Sequence, residues 1–231
     1  MNINKHTKIF IKNIMLGVGN VHLSLLNRYH VLAAVKKAYI TMEPRTLGRG
    51  KPQGAKIDVN LKERALRCLA LEFVNYFKAP APQSQADFDN WHRNICNKFI
   101  VCFDKVLAKS GYVQRMTYGK AQKIVNISFK YLYLFCNIEE GANGHFRFCH
   151  MAIDGIILDW YKNKVDPNCK CDNWSDLSEK EYFDIQDIIR NNFSSNENVF
   201  LSEFEIWSDL RYGKLPDDDG SDPQWDCSDC I

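Results

Sequence analysis

Apolar residues recur along the chain at spacings of three and four, broken by short polar, glycine or proline-bearing stretches. That period is the mark of amphipathic helices. No useful run alternates apolar and polar residues at period two, and no internal repeat is visible, so the pattern predicts an all-α fold. A first helix is expected over 22–41, with Leu25, Leu26, Tyr29, Val31 and Val35 inward and His30, Lys36 and Lys37 outward. A second, over 58–78, turns Leu61, Leu66, Leu69, Phe73, Tyr76 and Phe77 inward and stops at Pro80 and Pro82. A third begins at an Asp87 cap and carries Phe88, Trp91, Ile95, Phe99, Cys102 and Val106 before Gly111. At this spacing Trp91 reads as core.

The most apolar stretch is central. From Gly119 to Asn137, Ile124, Ile127, Tyr131 and Leu134 mark one face, and Val125, Phe129, Leu132 and Cys136 widen it. What remains is a polar stripe of Lys123, Asn126, Lys130, Tyr133 and Asn137, with Lys120 one turn earlier. Such a stripe is either a solvated face or the wall of a cleft. Farther on, Ile153, Ile156, Ile157, Trp160 and Tyr161 define another helix, with Asp154 placed as its N-cap. Ser178-Glu-Lys-Glu181 is a capping box for a helix through Tyr182, Ile185, Ile189 and Phe193. A last helix contains Phe200, Phe204 and Trp207. The expected architecture is one compact, orthogonal helical domain over 1–215, with an irregular start at 1–20 and a basic connection at 43–57.

Composition leaves this picture standing. Hydrophobic residues make 45% and charged residues 25% of the 231, as in ordinary globular domains. No run is long and apolar enough to span a membrane, and the N-terminus lacks a signal-peptide pattern. Charge changes more. Six of the 28 acidic residues lie in 216–231, which has no lysine or arginine, so the body carries 30 basic against 22 acidic residues. A basic body with an acidic, disordered tail suits nucleic-acid binding with a self-shielding tail, and suits a mildly basic solvated protein nearly as well. The basic connection offers Arg45, Arg49 and Lys51 as phosphate contacts or as a plain surface loop.

Nine cysteines are present. Cys68, Cys96, Cys102, Cys136 and Cys149 sit at core-like positions, which fits the thiols of a reducing cytoplasm. Cys169, Cys171, Cys227 and Cys230 would make four thiolates if they met, but without paired CxxC words no metal is expected. Words for zinc proteases, α/β-hydrolases and P-loops are absent, and no cofactor is implied.

One arrangement carries chemistry. Lys123-Ile-Val-Asn-Ile-Ser-Phe-Lys130 follows a glycine word, Thr117-Tyr-Gly119-Lys-Ala-Gln-Lys123, and His150-Met-Ala-Ile-Asp154 stands 31 residues beyond the lysine. Over about 112–162 this resembles the helix-hairpin-helix DNA glycosylases, in the archaeal 8-oxoguanine branch. Here the usual leucine-proline-glycine hairpin word is absent, and Met151 and Ala152 replace the prolines before the aspartate. The resemblance implies a degenerate helix-hairpin-helix, a flipped base, and Lys123 attacking the sugar C1′ to form a Schiff base beside Asp154. It also implies that Lys120, Gln122, Lys130 and His150 touch the nucleic acid or move protons, and that duplex DNA is the partner. The alternative is a non-catalytic helical protein that binds a protein or nucleic acid.

Overall fold

A computed structural model describes residues 28–46, 54, 56–135, 143–194 and 198–212. Among these are eight α-helices, one 3-10 helix and no strand. The helices are α1 (Arg28–Thr46), α2 (Val59–Lys78), α3 (Gln85–Lys109), α4 (Tyr118–Phe135), α5 (Asn143–Phe146), α6 (Gly155–Lys164), α7 (Glu179–Asn192) and α8 (Val199–Tyr212), with the 3-10 turn at Trp174–Asp176. The all-α expectation holds.

Local chemistry starts most of these helices. Asp58 caps α2 by accepting from the Leu61 N–H, and Ser178 and Glu181 form the expected capping box of α7. The third helix starts earlier than its sequence suggests. Ser84 is its cap, and Asp87 is the carboxylate that closes the box back onto the Ser84 N–H. At α1, Tyr29 is exposed and His30 is buried, the reverse of the sequence expectation. Residues 43–46 belong to α1, not to a loop, because the helix runs one turn beyond its apolar pattern.

Helix α4 is the hub. It packs against α1, α3, α7 and the 3-10 turn, while α2 bridges α1 and α3. Phe73, Phe88 and Phe129 meet edge-on or tilted, with Phe73 and Phe129 centroids 4.9 Å apart, and Trp91 packs 4.4 Å from Tyr76. Such ring pairs contribute about 0.5–1.5 kcal/mol each beyond the area they bury. Trp91 is therefore a core residue.

The unusual element is not a helix. Cys149 to Ile153 run through the interior in neither helix nor strand, all between 0% and 4% exposed, with no strand beside them among the described residues. Backbone groups buried in this way need partners. Side chains provide them. The Met151 carbonyl accepts from Asn126 Nδ2 (3.2 Å) and Gln186 Nε2 (2.8 Å). The Ala152 N–H donates to Glu203 Oε2 at 2.8 Å. Ile153 is bound on both sides by one amide, its N–H donating to Gln122 Oε1 (3.2 Å) and its carbonyl accepting from Gln122 Nε2 (2.6 Å). The polar stripe of α4 is thus divided: Asn126 turns inward with its neighbour Gln122 to satisfy this segment, Lys130 pairs with Glu203, and Lys120 and Lys123 line a cleft, while Asn137 lies outside the described residues.

Gly119 has a second structural task. It lies in the first turn of α4, its N–H donates to the Leu177 carbonyl (3.0 Å), and a Cβ there would sit 2.0 Å from the Trp174 carbonyl oxygen. The expected glycine hairpin at 117–123 is therefore absent. Gly119 is needed for close approach, and the left-handed glycine between α3 and α4 is Gly111, at φ 76°.

Two outcomes follow for stability. Gly119→Ala forces the Trp174 turn away and costs about 1–3 kcal/mol or more, whereas Gly155→Ala, whose nearest neighbours are 3.9 Å away, is neutral or stabilising by up to about 1 kcal/mol. Gln122→Leu strands both polar groups of Ile153 and costs about 3 kcal/mol. Urea unfolding followed by circular dichroism measures all three; a neutral Gln122→Leu would mean that Ile153 finds other partners.

Candidate functional site

Asp154 divides its two oxygens between two tasks. Oδ1 caps α6, accepting from the N–H groups of Ile156 (3.0 Å) and Ile157 (3.1 Å). Oδ2 is left facing α4, where Lys123 Nζ stands 3.7 Å away. The same ammonium lies 4.3 Å over the Trp174 ring, a contact that favours a cation by about 0.5–2 kcal/mol. Both side chains are largely buried, at 7% and 15% exposed. The sequence-predicted pair is brought together because Gln122, the residue before Lys123, grips Ile153, the residue before Asp154. Register is fixed by that amide.

The pair lines a cleft of about 880 Å³ between the start of α4, the start of α6, the 3-10 turn and the Trp207–Arg211 end of α8. Asn173 Oδ1 caps the 3-10 turn through the Ser175 N–H (3.1 Å), and Thr117 Oγ1 donates to the Ser175 carbonyl, so Trp174 is held from both ends. Lys120 shares the cleft and donates to the Arg115 carbonyl at 3.2 Å. Burial lowers its pKa, against the opposing pull of Asp176 and Asp104. Arg115, 85% exposed and 3.9 Å from Asp104 Oδ2, and the exposed Arg211 also line the cleft. Asp159 and Asp176 also line the space, so its charge is mixed with a cationic rim.

The remaining predicted contacts are elsewhere. Gln122 is fully buried and committed to Ile153 and to the Gly119 carbonyl (2.9 Å), so it cannot touch nucleic acid. Lys130 is buried against Glu203 in an ion pair, which removes it from the binding set too. Burial raises the pKa of Glu203, while Lys130 and the Ala152 N–H oppose the rise. Arg45 lies in the last turn of α1, and Arg49 and Lys51 fall outside the described residues. Cys169 and Cys171 are half-buried, burial and the neighbouring Cys169 push the Cys171 thiol up to about 11, and Cys227 and Cys230 lie outside the described residues. Among the described residues no three ligand-type side chains converge as a metal site. Cys96 and Cys149 are buried as expected, but Cys68 is exposed.

His150 is not in the Lys123 cleft, although it stands only four residues before Asp154. It is 1% exposed and lines a separate space of about 490 Å³. Its Nε2 is 2.7 Å from Asp89 Oδ1 and its Nδ1 is 2.8 Å from Tyr182 Oη. Tyr182 Oη is 2.9 Å from Asn126 Nδ2, and Asn126 Oδ1 is 3.1 Å from His92 Nε2, whose Nδ1 is 3.2 Å from Tyr118 Oη. Along this chain one tautomer fits, each histidine donating from Nε2 and accepting a tyrosine proton at Nδ1, while Gln85 Nε2 (3.1 Å) and Arg190 Nη1 (3.2 Å) also crowd His150 Nε2. Both rings are then neutral. Burial lowers both pKa values, His92 strongly, although Asp89 pulls His150 the other way.

Sequence reasoning missed Trp174, Arg115 and Glu203, because nothing periodic marks a ring in a loop or a carboxylate that turns inward. No family model, curated protein or solved structure matches this chain. The cleft's own chemistry is what bears on function.

The two histidines make stability depend on pH in a definite direction. Below about pH 6.5 the unfolded chain takes up protons that the native rings refuse, so stability is full near pH 7.5 and falls on acidification. The slope approaches about 1.4 kcal/mol per pH unit for each histidine. Urea midpoints between pH 7.5 and 5 measure it; a flat profile would mean that neither ring is held neutral.

Proposed function

We propose that the protein binds DNA and acts on it as a glycosylase/AP lyase-like enzyme, with Lys123 as the amine and Asp154 as its proton partner. The observation that supports this most is the 3.7 Å approach of Lys123 Nζ to Asp154 Oδ2 on the wall of a cleft large enough for a nucleotide unit. The residue pair singled out from a separation of 31 positions is the pair that meets. Arg115 and Arg211 at the rim suit phosphates, and the Trp174 ring suits a sugar or base face. The binding set is smaller than the sequence implies, since Gln122, Lys130 and His150 are committed inside the fold.

Two protons, shuttled in turn through Asp154, balance the steps. Asp154 takes a proton from the Lys123 ammonium, leaving a free amine. The C1′–base bond breaks with its electron pair going to the base, which receives that proton from Asp154. The amine forms a bond to C1′, and Asp154 removes a proton from the nitrogen. The C1′–O4′ bond then opens, O4′ takes this second proton, and a protonated imine (iminium) between Lys123 and C1′ remains. On an abasic sugar the same imine forms with loss of water in place of the base.

Borohydride reduction of that imine is the test, on a duplex with one abasic site and with folding checked by circular dichroism. A covalent adduct is expected with the native chain and with Lys120→Ala, and none with Lys123→Ala. Asp154→Asn is expected to slow trapping about 10²–10⁴-fold, the range for a positioned acid–base group. Absence of any adduct, with all chains folded, would remove the enzyme reading and leave a non-catalytic binding protein.

A further inference from the structure

The space of about 490 Å³ beside His150 shares no lining residue with the Lys123 cleft. Its size falls within the range of about 300–1,000 Å³ usual for small-molecule sites. Gln186 of α7 stands on its wall and is fully buried. The Gln186 Nε2 donates to the Met151 carbonyl at 2.8 Å. Its Oε1, shut off from solvent, has no hydrogen-bond partner among the described residues. Turning the amide round would set oxygen against the Met151 carbonyl oxygen, two acceptors face to face, so the unpaired acceptor stays where it is.

An acceptor in that state has already lost its water, so a ligand that brings a donor gains the bond without that cost. Charge on the wall is of two kinds. Arg190 is held by Asp89 and Asp187, and its charge is met within the fold. Arg147 is exposed and makes no ion pair among the described residues, its guanidinium standing 5.3 Å from the Phe148 ring centre. Asn198 caps α8 by accepting from the Phe200 N–H at 3.1 Å, so the positive end of a 14-residue helix borders the same space. Phe148 and Phe193, both half-buried, add ring surface to the wall.

We infer that this space is a binding site of its own and takes one nucleotide. A base N–H donates to Gln186 Oε1, the base lies against Phe148 and Phe193, and the phosphate sits at Arg147 and the start of α8. An inorganic anion would meet Arg147 and α8 but leave Gln186 unpaired, and an apolar ring would meet neither. A free nucleoside monophosphate and one nucleotide of a single strand present the same three groups. The site does not depend on the lysine chemistry proposed for the other cleft.

Titration calorimetry on the full chain tests this, with folding of each variant checked by circular dichroism. The probes are adenosine 5′-monophosphate, purine riboside 5′-monophosphate (which lacks the amino group), inorganic phosphate and a short single-stranded oligodeoxyadenylate. Adenosine monophosphate is expected to bind about 10-fold or more tighter than either the purine analogue or phosphate. Gln186→Leu is expected to abolish the difference between the two nucleotides. Arg147→Ala, an exposed change outside the core, is expected to weaken adenosine monophosphate about 10-fold, and Arg211→Ala, in the other cleft, to leave it unchanged. An oligonucleotide that binds more tightly than the monophosphate, with the same loss in Arg147→Ala, assigns the site to a strand; the reverse order assigns it to a free nucleotide. Three results would overturn the assignment: no binding of any nucleotide, equal binding of the analogue or phosphate, or a loss in Arg211→Ala without one in Arg147→Ala.

Discussion

A buried length of backbone in neither helix nor strand is the constraint on which the rest of the fold depends. Cys149 to Ile153 cross the interior without a neighbouring strand, so the usual ladder cannot satisfy their N–H and carbonyl groups. Gln122, Asn126, Gln186 and Glu203 take over that task from α4, α7 and α8. Each is held at or below 1% exposure. Leaving any one group unpaired there costs about 1–3 kcal/mol, whereas a made bond contributes about 1, so these side chains are fixed more by penalty than by gain.

Placement of the site follows from the same bonds. A two-sided amide grip on Ile153 sets Asp154 opposite Lys123, one residue farther along each element. Gly119 extends the same logic to the aromatic wall: its missing Cβ lets the Trp174 backbone close onto α4, and the ring then lies over the lysine. Helix α8 is tied in through Glu203, which serves the Ala152 N–H and Lys130 together. Trp207, one turn beyond Glu203, is thereby held on the wall of the cleft. Among the described residues, charge in this interior is paired as Lys130 with Glu203, Lys123 with Asp154, and Asp89 with Arg190, while buried Lys120 rests on the Arg115 carbonyl. The histidines beside them remain neutral.

This arrangement separates stability from chemistry within one helix. On α4, Gln122, Asn126 and Lys130 hold the fold, while Lys120 and Lys123 border the space where a ligand can enter. A pre-set amine, a carboxylate with one oxygen uncommitted by its cap, and an aromatic wall are costly features to keep ordered unless a bound molecule uses them.

What the sequence determined is what period and capping chemistry encode locally. Helices over 59–78, 118–135, 155–164 and 179–192 were legible because apolar residues at three and four spacings have only one way to be buried, and because Asp154 and Ser178 mark their starts. The Lys123–Asp154 pair entered as a candidate only through the resemblance of its words to those of the helix-hairpin-helix glycosylases. Only the tertiary structure decided that Gln122, Asn126 and Lys130 point inward, since a polar stripe on a helix looks the same whether its partner is water or a buried backbone. It also decided that His150 belongs to a neutral network with Asp89 and Tyr182, and that Gly119 answers to Trp174, 55 residues away. Those partners are distant in sequence, and hydrogen-bond satisfaction in the interior is a property of the assembled chain, with no local period to announce it.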